Sequence, residues 1–220
     1  MKKLVIQDNS TIRKKVYTYV REQILSGQIA PNERLIETKI AQEIGTSRTP
    51  VREALHNLEI EGLIRSIPRV GYQVKAISES EVEETCAIRS VIECLAAQWA
   101  MERASAKIIR ELKKNIAATA ERVSRGEVRA FIDLDAQFHE IIARGSGSTR
   151  LLELSQTLRG HMLRYRVQSI FSEDAVLTAL KGHEGILKAI EKKDPQKVTE
   201  AIQVHLEESK KNILRYAIKK

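Results

Sequence analysis

The chain has 220 residues, 42% of them hydrophobic and 30% charged, and a formal net charge of +8. This balance excludes a disordered or membrane-spanning chain, and aromatics at 4% with ten glycines argue against a β-sandwich. Only Cys86 and Cys94 are present, which excludes a disulfide framework; on one predicted helix they read as buried free thiols. The positive excess suits a polyanionic partner and is uneven. The first 77 residues carry 13 basic and 8 acidic side chains, the remaining 143 carry 24 and 21. The opening MKKLVIQDNS lacks the long apolar run of a secretion signal, and no later stretch is long enough to span a bilayer. A cytoplasmic location with no membrane partner is therefore expected.

Residues 11–27 predict a helix, with Val16, Val20 and Ile24 at spacings of four and Gly27 at its end. Pro31 and Asn32 turn the chain, and Glu37 to Ile44 form a second short helix closed by Gly45. The stretch TSRTPVREALHNLEIEG, Thr46 to Gly62, follows almost at once. Ser47 suits an N-cap, and Pro50 is tolerable in a first turn that has spare N–H groups. At about 100° per residue, Val51, Ala54, Leu55 and Leu58 share one stripe, while Arg48, Arg52, His56 and Glu59 share its neighbour. Two guanidinium groups near a helix N-terminus suit a recognition helix in a DNA major groove. By itself the pattern fits an amphipathic surface helix with solvated arginines equally well. Helix, tight Gly-containing turn and polar-faced helix is the helix-turn-helix arrangement.

From Leu63 to Lys75 the period changes. Leu63-Ile64 and Tyr72 to Val74 predict two short strands, with Pro68, Arg69, Val70 and Gly71 turning between them. A hairpin with Arg69 at its tip is either a wing that reaches a minor groove or a cover for a core edge. Residues 76–78 predict a linker, and Ser78 with the acids from Glu79 to Glu84 predicts a capped helix start. Beyond it the pattern is helical throughout: 79–104, 107–124, 128–144, 148–170, 174–192 and 195–218. The expected fold is mainly α. Residues 1–77 form a winged helix-turn-helix of three helices and a two-stranded wing; residues 78–220 form an antiparallel six-helix bundle.

The run PNERLIETKIAQEIGTSRTPVREALHNLEIEGLI, followed by PRVGYQV, resembles the winged helix-turn-helix of the GntR transcription regulators. The remainder, with IRSVIE, DAQFH, GHEGILKAIEKKD and VHLEES in order, is similar to the FCD effector domain of the FadR subfamily. The resemblance implies DNA contacts from Arg34, Arg48 and Arg52, with the wing tip near Gly71. Arg48 and Arg52 then stand where a two-pronged bond to guanine O6 and N7 is possible. Arg34 suits a phosphate or flanking base, and Ser47 and Thr49 suit phosphates. His56 and Glu59 lie further from the helix start and read as bystanders.

In the helical part, Asp135 and His139 are four apart on one helix face, and His183 and His205 come from two later helices. One carboxylate and three imidazoles that converge in a bundle suit a divalent cation such as Zn²⁺, Ni²⁺ or Mn²⁺. Scattered histidines also serve as core or surface residues, and here the resemblance to a metal-binding FCD subset selects the ligand set. The resemblance further implies a small carboxylate effector. Arg89, which matches the family's RxxxE with Glu93, is the first candidate to bind it; the alternative for Arg89 is an ion pair within its own helix. Arg164 and Arg166 are further candidates; His161, outside the family pattern, reads either as an effector contact or, in slight preference, as a polar residue on the bundle wall. The function expected is a ligand-responsive regulator, a repressor acting as a homodimer on a palindromic operator, and not an enzyme. The alternatives are a metal-sensing regulator and a metalloenzyme with a DNA-binding appendage.

Overall fold

Val16, Val20 and Ile24 recur once per turn, and all three are buried on one side of α1 (Ile12–Leu25). This is the first element of a computed structural model that describes residues 11–76, 78–169 and 173–218. Within these spans the side chains of 104, 105, 163, 164, 166–169, 217 and 218 lie outside the described set. So do the opening ten residues, Ile77 of the expected linker, and Phe171 and Ser172 of an expected helix break. Contacts divide the chain into two units, Met1–Ala76 and Ile77–Lys220.

In the first unit, α1 is followed by β1 (Arg34–Leu35), α2 (Glu37–Ile44) and α3 (Arg48–Ile60). Then come β2 (Ile64–Ile67) and β3 (Gly71–Val74). The predicted stripe of α3 is the centre of its core: Val51, Ala54, Leu55 and Leu58 are fully buried against Val16, Val20 and Ile24. Burial of a Val or Leu side chain contributes about 1.5–3 kcal/mol. Tyr17 and Arg21 of α1 both donate to the Glu61 carboxylate just past α3, at 2.7 and 2.9 Å. The wing is larger than expected. Its sheet has three strands in the order β1-β3-β2, because Arg34 and Leu35 pair antiparallel with Gln73 and Tyr72. A strand of two residues has no period to read.

The second unit starts on α4 (Glu79–Ser124), where the Ser78 hydroxyl accepts from the Glu81 N–H. The expected break at Ser105 is absent, and 46 residues run as one helix about 69 Å long. Serine in a helix interior costs only about 0.5 kcal/mol relative to alanine. The buried stripe of Ala97, Ala100, Ile108 and Leu112 continues across it, with no Gly or Pro between Glu79 and Ser124. A 3₁₀ turn (Val128–Ala130) leads into α5 (Phe131–Gly145), α6 (Thr149–Ser169), α7 (Glu173–Glu191) and α8 (Pro195–Ile213), and a π turn closes the described chain. The bundle thus has five long helices among the described residues where six were expected. Around α4 pack Phe138, Ile141 and Ile142 of α5, Ile186 and Ile190 of α7, and Val198, Ile202 and Leu206 of α8. No helix of the described residues is long and apolar enough to cross a membrane.

Candidate functional site

Two groups of polar side chains stand out, one on the surface of the first unit and one inside the second. On the first, Ser47 occupies the N-cap of α3 in an extended conformation, and its hydroxyl makes no cap bond. Ser47 and Thr49 are exposed at the helix start. The side chains of Arg48 and Arg52 are each 59% exposed, and both reach the same acid, Glu37 at the start of α2. Arg48 Nη2 lies 3.1 Å from Glu37 Oε2; Arg52 Nε lies 3.2 and 3.3 Å from the two carboxylate oxygens.

Arg34 is exposed on β1, opposite Gln73. Gln73 itself accepts from Arg65 at 2.8 Å and donates to the Asn32 carbonyl at 2.9 Å, which braces the wing. Arg69 is exposed in the turn between β2 and β3, at a positive φ of 64°. Gly71 has φ +123°, and a Cβ there would stand 2.8 Å from the Leu35 carbonyl oxygen, so only glycine lets β3 close on β1. Glu59, expected as a bystander, accepts the Ser66 N–H at 2.8 Å and lies 3.7 Å from His56 Nδ1. The bond to Ser66 holds its carboxyl below the usual carboxylate range. It ties α3 to the wing.

Inside the second unit, Asp135 and His139 of α5 meet His183 of α7 and His205 of α8. All four are buried, and one ligand atom from each lies within 4.8 Å of the others. Asp135 Oδ1 is 3.4 Å from His183 Nε2 and 3.8 Å from His139 Nε2. Phe138 stacks flat on His183, with ring centroids 3.8 Å apart, and so fixes that imidazole's plane. His139 Nδ1 lies 2.8 Å from the Glu93 carboxylate and donates to it, which turns Nε2 inward as the acceptor nitrogen. That Nε2 is buried and has no hydrogen-bond partner. Burial pushes the His139 and His205 pKa values down, His205 furthest, since His183 and His139 also face it. Neutral imidazoles offer lone pairs. One carboxylate and three imidazoles, with His139 Nε2 otherwise unsatisfied, form a donor set that fits a borderline divalent cation.

Three supporting residues complete the site: Gly182 and Arg159 carried no signal in the sequence, and Glu93 was visible only as the partner of Arg89. Glu93 is the acceptor for both His139 and Arg89, whose Nε lies 2.8 Å away. Burial alone would raise its carboxyl, yet Arg89 and His139 hold it well below the usual range. Gly182 lies under His205: a Cβ there would collide with Nδ1 and stand 3.1 Å from Cγ. Arg159 of α6 approaches Asp135 with Nη2, 3.9 Å from Oδ2, and lines a cavity of about 240 Å³ with Ser155 and Gln156. Arg89 turns out to be both inward and paired within its helix; it is 2% exposed, and its Nη1 is buried without a partner. His161 is exposed, and the Arg164 and Arg166 side chains fall outside the described set.

Comparison with known proteins agrees with this division. Residues 12–74 match the model of the bacterial regulatory proteins of the gntR family, and residues 84–208 match the FCD domain. HTH-type transcriptional regulator YdhC of Bacillus subtilis (strain 168) is 27% identical over 190 residues, 86% of this chain and 85% of that protein. HTH-type transcriptional repressor RspR of Escherichia coli (strain K12) is 27% identical over 202 residues, 92% and 89% of the two chains. The solved structure of E. coli McbR/YncC shares the fold with a TM-score of 0.74 at 20% identity, covering 94% of this chain and 98% of that one. The chain is a transcriptional regulator of the GntR family, a winged helix-turn-helix followed by an FCD domain.

Proposed function

We propose that this regulator, of the FadR subfamily, is a cytoplasmic repressor that releases its operator when a small carboxylate binds the FCD domain. The observation that carries the effector half is the buried set of Asp135, His139, His183 and His205, with ligand atoms within 4.8 Å of one another. These residues would hold a Zn²⁺, Ni²⁺ or Mn²⁺ ion, which supplies coordination positions that a carboxylate can take. Glu93 fixes the His139 tautomer, Phe138 the His183 plane and Arg159 the Asp135 carboxylate. Arg89 adds a buried guanidinium nitrogen with no partner, suited to an anion. The DNA half rests on the exposed Arg48 and Arg52 at the front of α3, with Arg34, Ser47 and Thr49 toward phosphates and Arg69 and Gly71 at the wing.

A homodimer on a palindromic operator follows from the reach of one recognition helix, which spans only a few base pairs. In support, α4 exposes Ile88, Val91 and Leu95, three apolar side chains at helical spacing on one face. Effector binding must favour one of two arrangements of the paired heads, since a ligand shifts an equilibrium only by its difference in affinity.

The test begins with metal analysis of protein purified without chelators, with His183→Ala beside it. About one equivalent of metal per chain is expected, and a large loss in the variant. Titration of operator binding with a panel of small carboxylates should then find one that weakens it. Retained metal in His183→Ala puts the ion elsewhere; release by metal alone, with no acid present, makes the protein a metal sensor.

A further inference from the structure

Glu37 is an acid held between Arg48 and Arg52, the two arginines proposed to read DNA. It sits in the first turn of α2, its side chain 17% exposed, while the two arginines it holds are each 59% exposed. An isolated carboxylate facing DNA repels the backbone and lowers affinity for every sequence. Here it grips each arginine differently. Arg52 is held through Nε, by both oxygens at 3.2 and 3.3 Å. Among the described residues its two terminal nitrogens have no partner, so its end-on fork is left open. Arg48 is held at 3.1 Å through Nη2, one prong of its own fork.

We propose that Glu37 is the positioning residue that sets sequence specificity: it aims Arg52 end-on at a guanine, commits Arg48 to single contacts, and weakens indiscriminate phosphate binding. A guanine offers O6 and N7 side by side, and the terminal nitrogens of an arginine held by its Nε match that pair. Without the carboxylate, both side chains regain their rotamer freedom, and both become general phosphate ligands. The inference rests on operator reading by α3 and adds to it the residue that turns two flexible cations into a directed reader.

The probe is the duplex that the full-length wild-type chain enriches from a random pool, with a scrambled duplex of the same composition as control. Glu37→Ala and the isosteric Glu37→Gln should bind the enriched duplex about 10-fold more weakly and the scrambled one about 2-fold more tightly. A fresh selection with Glu37→Gln should lose preference at the guanine in each half-site and keep it at positions read by the wing. Because Glu37 acts through Arg52, Glu37→Ala/Arg52→Ala should discriminate no worse than Arg52→Ala alone. An equal loss on both duplexes with a lower Tm reduces Glu37 to a folding contact. An unchanged ratio, or losses that add in the double variant, overturns the positioning role. Failure of the wild type to enrich any sequence instead overturns operator reading itself.

Discussion

The two units use the same chemistry, an acid shared by two donor side chains, in opposite surroundings. Glu37 joins Arg48 and Arg52 in water; Glu93 joins Arg89 and His139 in the dark centre of a bundle, with all three side chains nearly sealed from solvent. In water such a pair adds little to stability, and a grip through Nε leaves the terminal nitrogens of Arg52 open for DNA. In the interior, departure strands a charge that nothing else can solvate. The surface triad is therefore built to aim its arginines, and the buried triad to hold its unit together.

Five measurements sharpen or break that contrast. Glu93→Ala should destabilise the Ile77–Lys220 unit by about 3–5 kcal/mol in denaturant unfolding, since it orphans Arg89 and His139 together. A loss below 1 kcal/mol would mean that water already reaches the triad. Gly182→Ala should cost the same unit about 1–3 kcal/mol, because the new methyl displaces the His205 ring. Gly185→Ala, three residues on, has nothing within 4 Å of its Cβ and should stabilise α7 by up to about 1 kcal/mol.

A pH dependence distinguishes the first unit. Burial, helped by the bond to Glu61, pushes the Tyr17 hydroxyl up from 10.0 to about 12. A raised folded pKa gives stability that is complete below pH 10 and lost as pH rises through 12. Unfolding followed across that window should show the first unit weakening, and Tyr17→Phe should flatten this part of the curve. The smallest effect is expected for Glu37→Ala on stability, about 0–1 kcal/mol, despite its consequence for DNA discrimination.

Periodicity carried most of the fold. The buried faces of α1 and α3 are the stripes read from spacing, because a helix against one core must repeat every 3.6 residues. Local signals misled where their cost is small: Ser105 breaks nothing, since half a kilocalorie cannot outweigh a continuous buried stripe. β1 was illegible because its two residues are strand only by virtue of Gln73 and Tyr72. At the sites, residue types that announce chemistry were visible and their supports were not. Glu37 meets Arg52 across 15 positions, and Glu93 meets His139 across 46, distances at which sequence alone suggests no pairing. The Arg89–Glu93 pair was legible as spacing, but its weight comes from burial, which spacing does not report.

The unbroken α4 has a mechanical consequence. Without a glycine, a proline or a bulge along 46 residues, it has no joint at which to fold, so a push at its middle must move its ends. Glu93 lies in its fourth turn, and the Ser78 cap at its head follows the last wing strand by four residues. Whatever tightens or loosens the buried triad therefore acts on one stiff helix of 46 residues and not on a hinge within it.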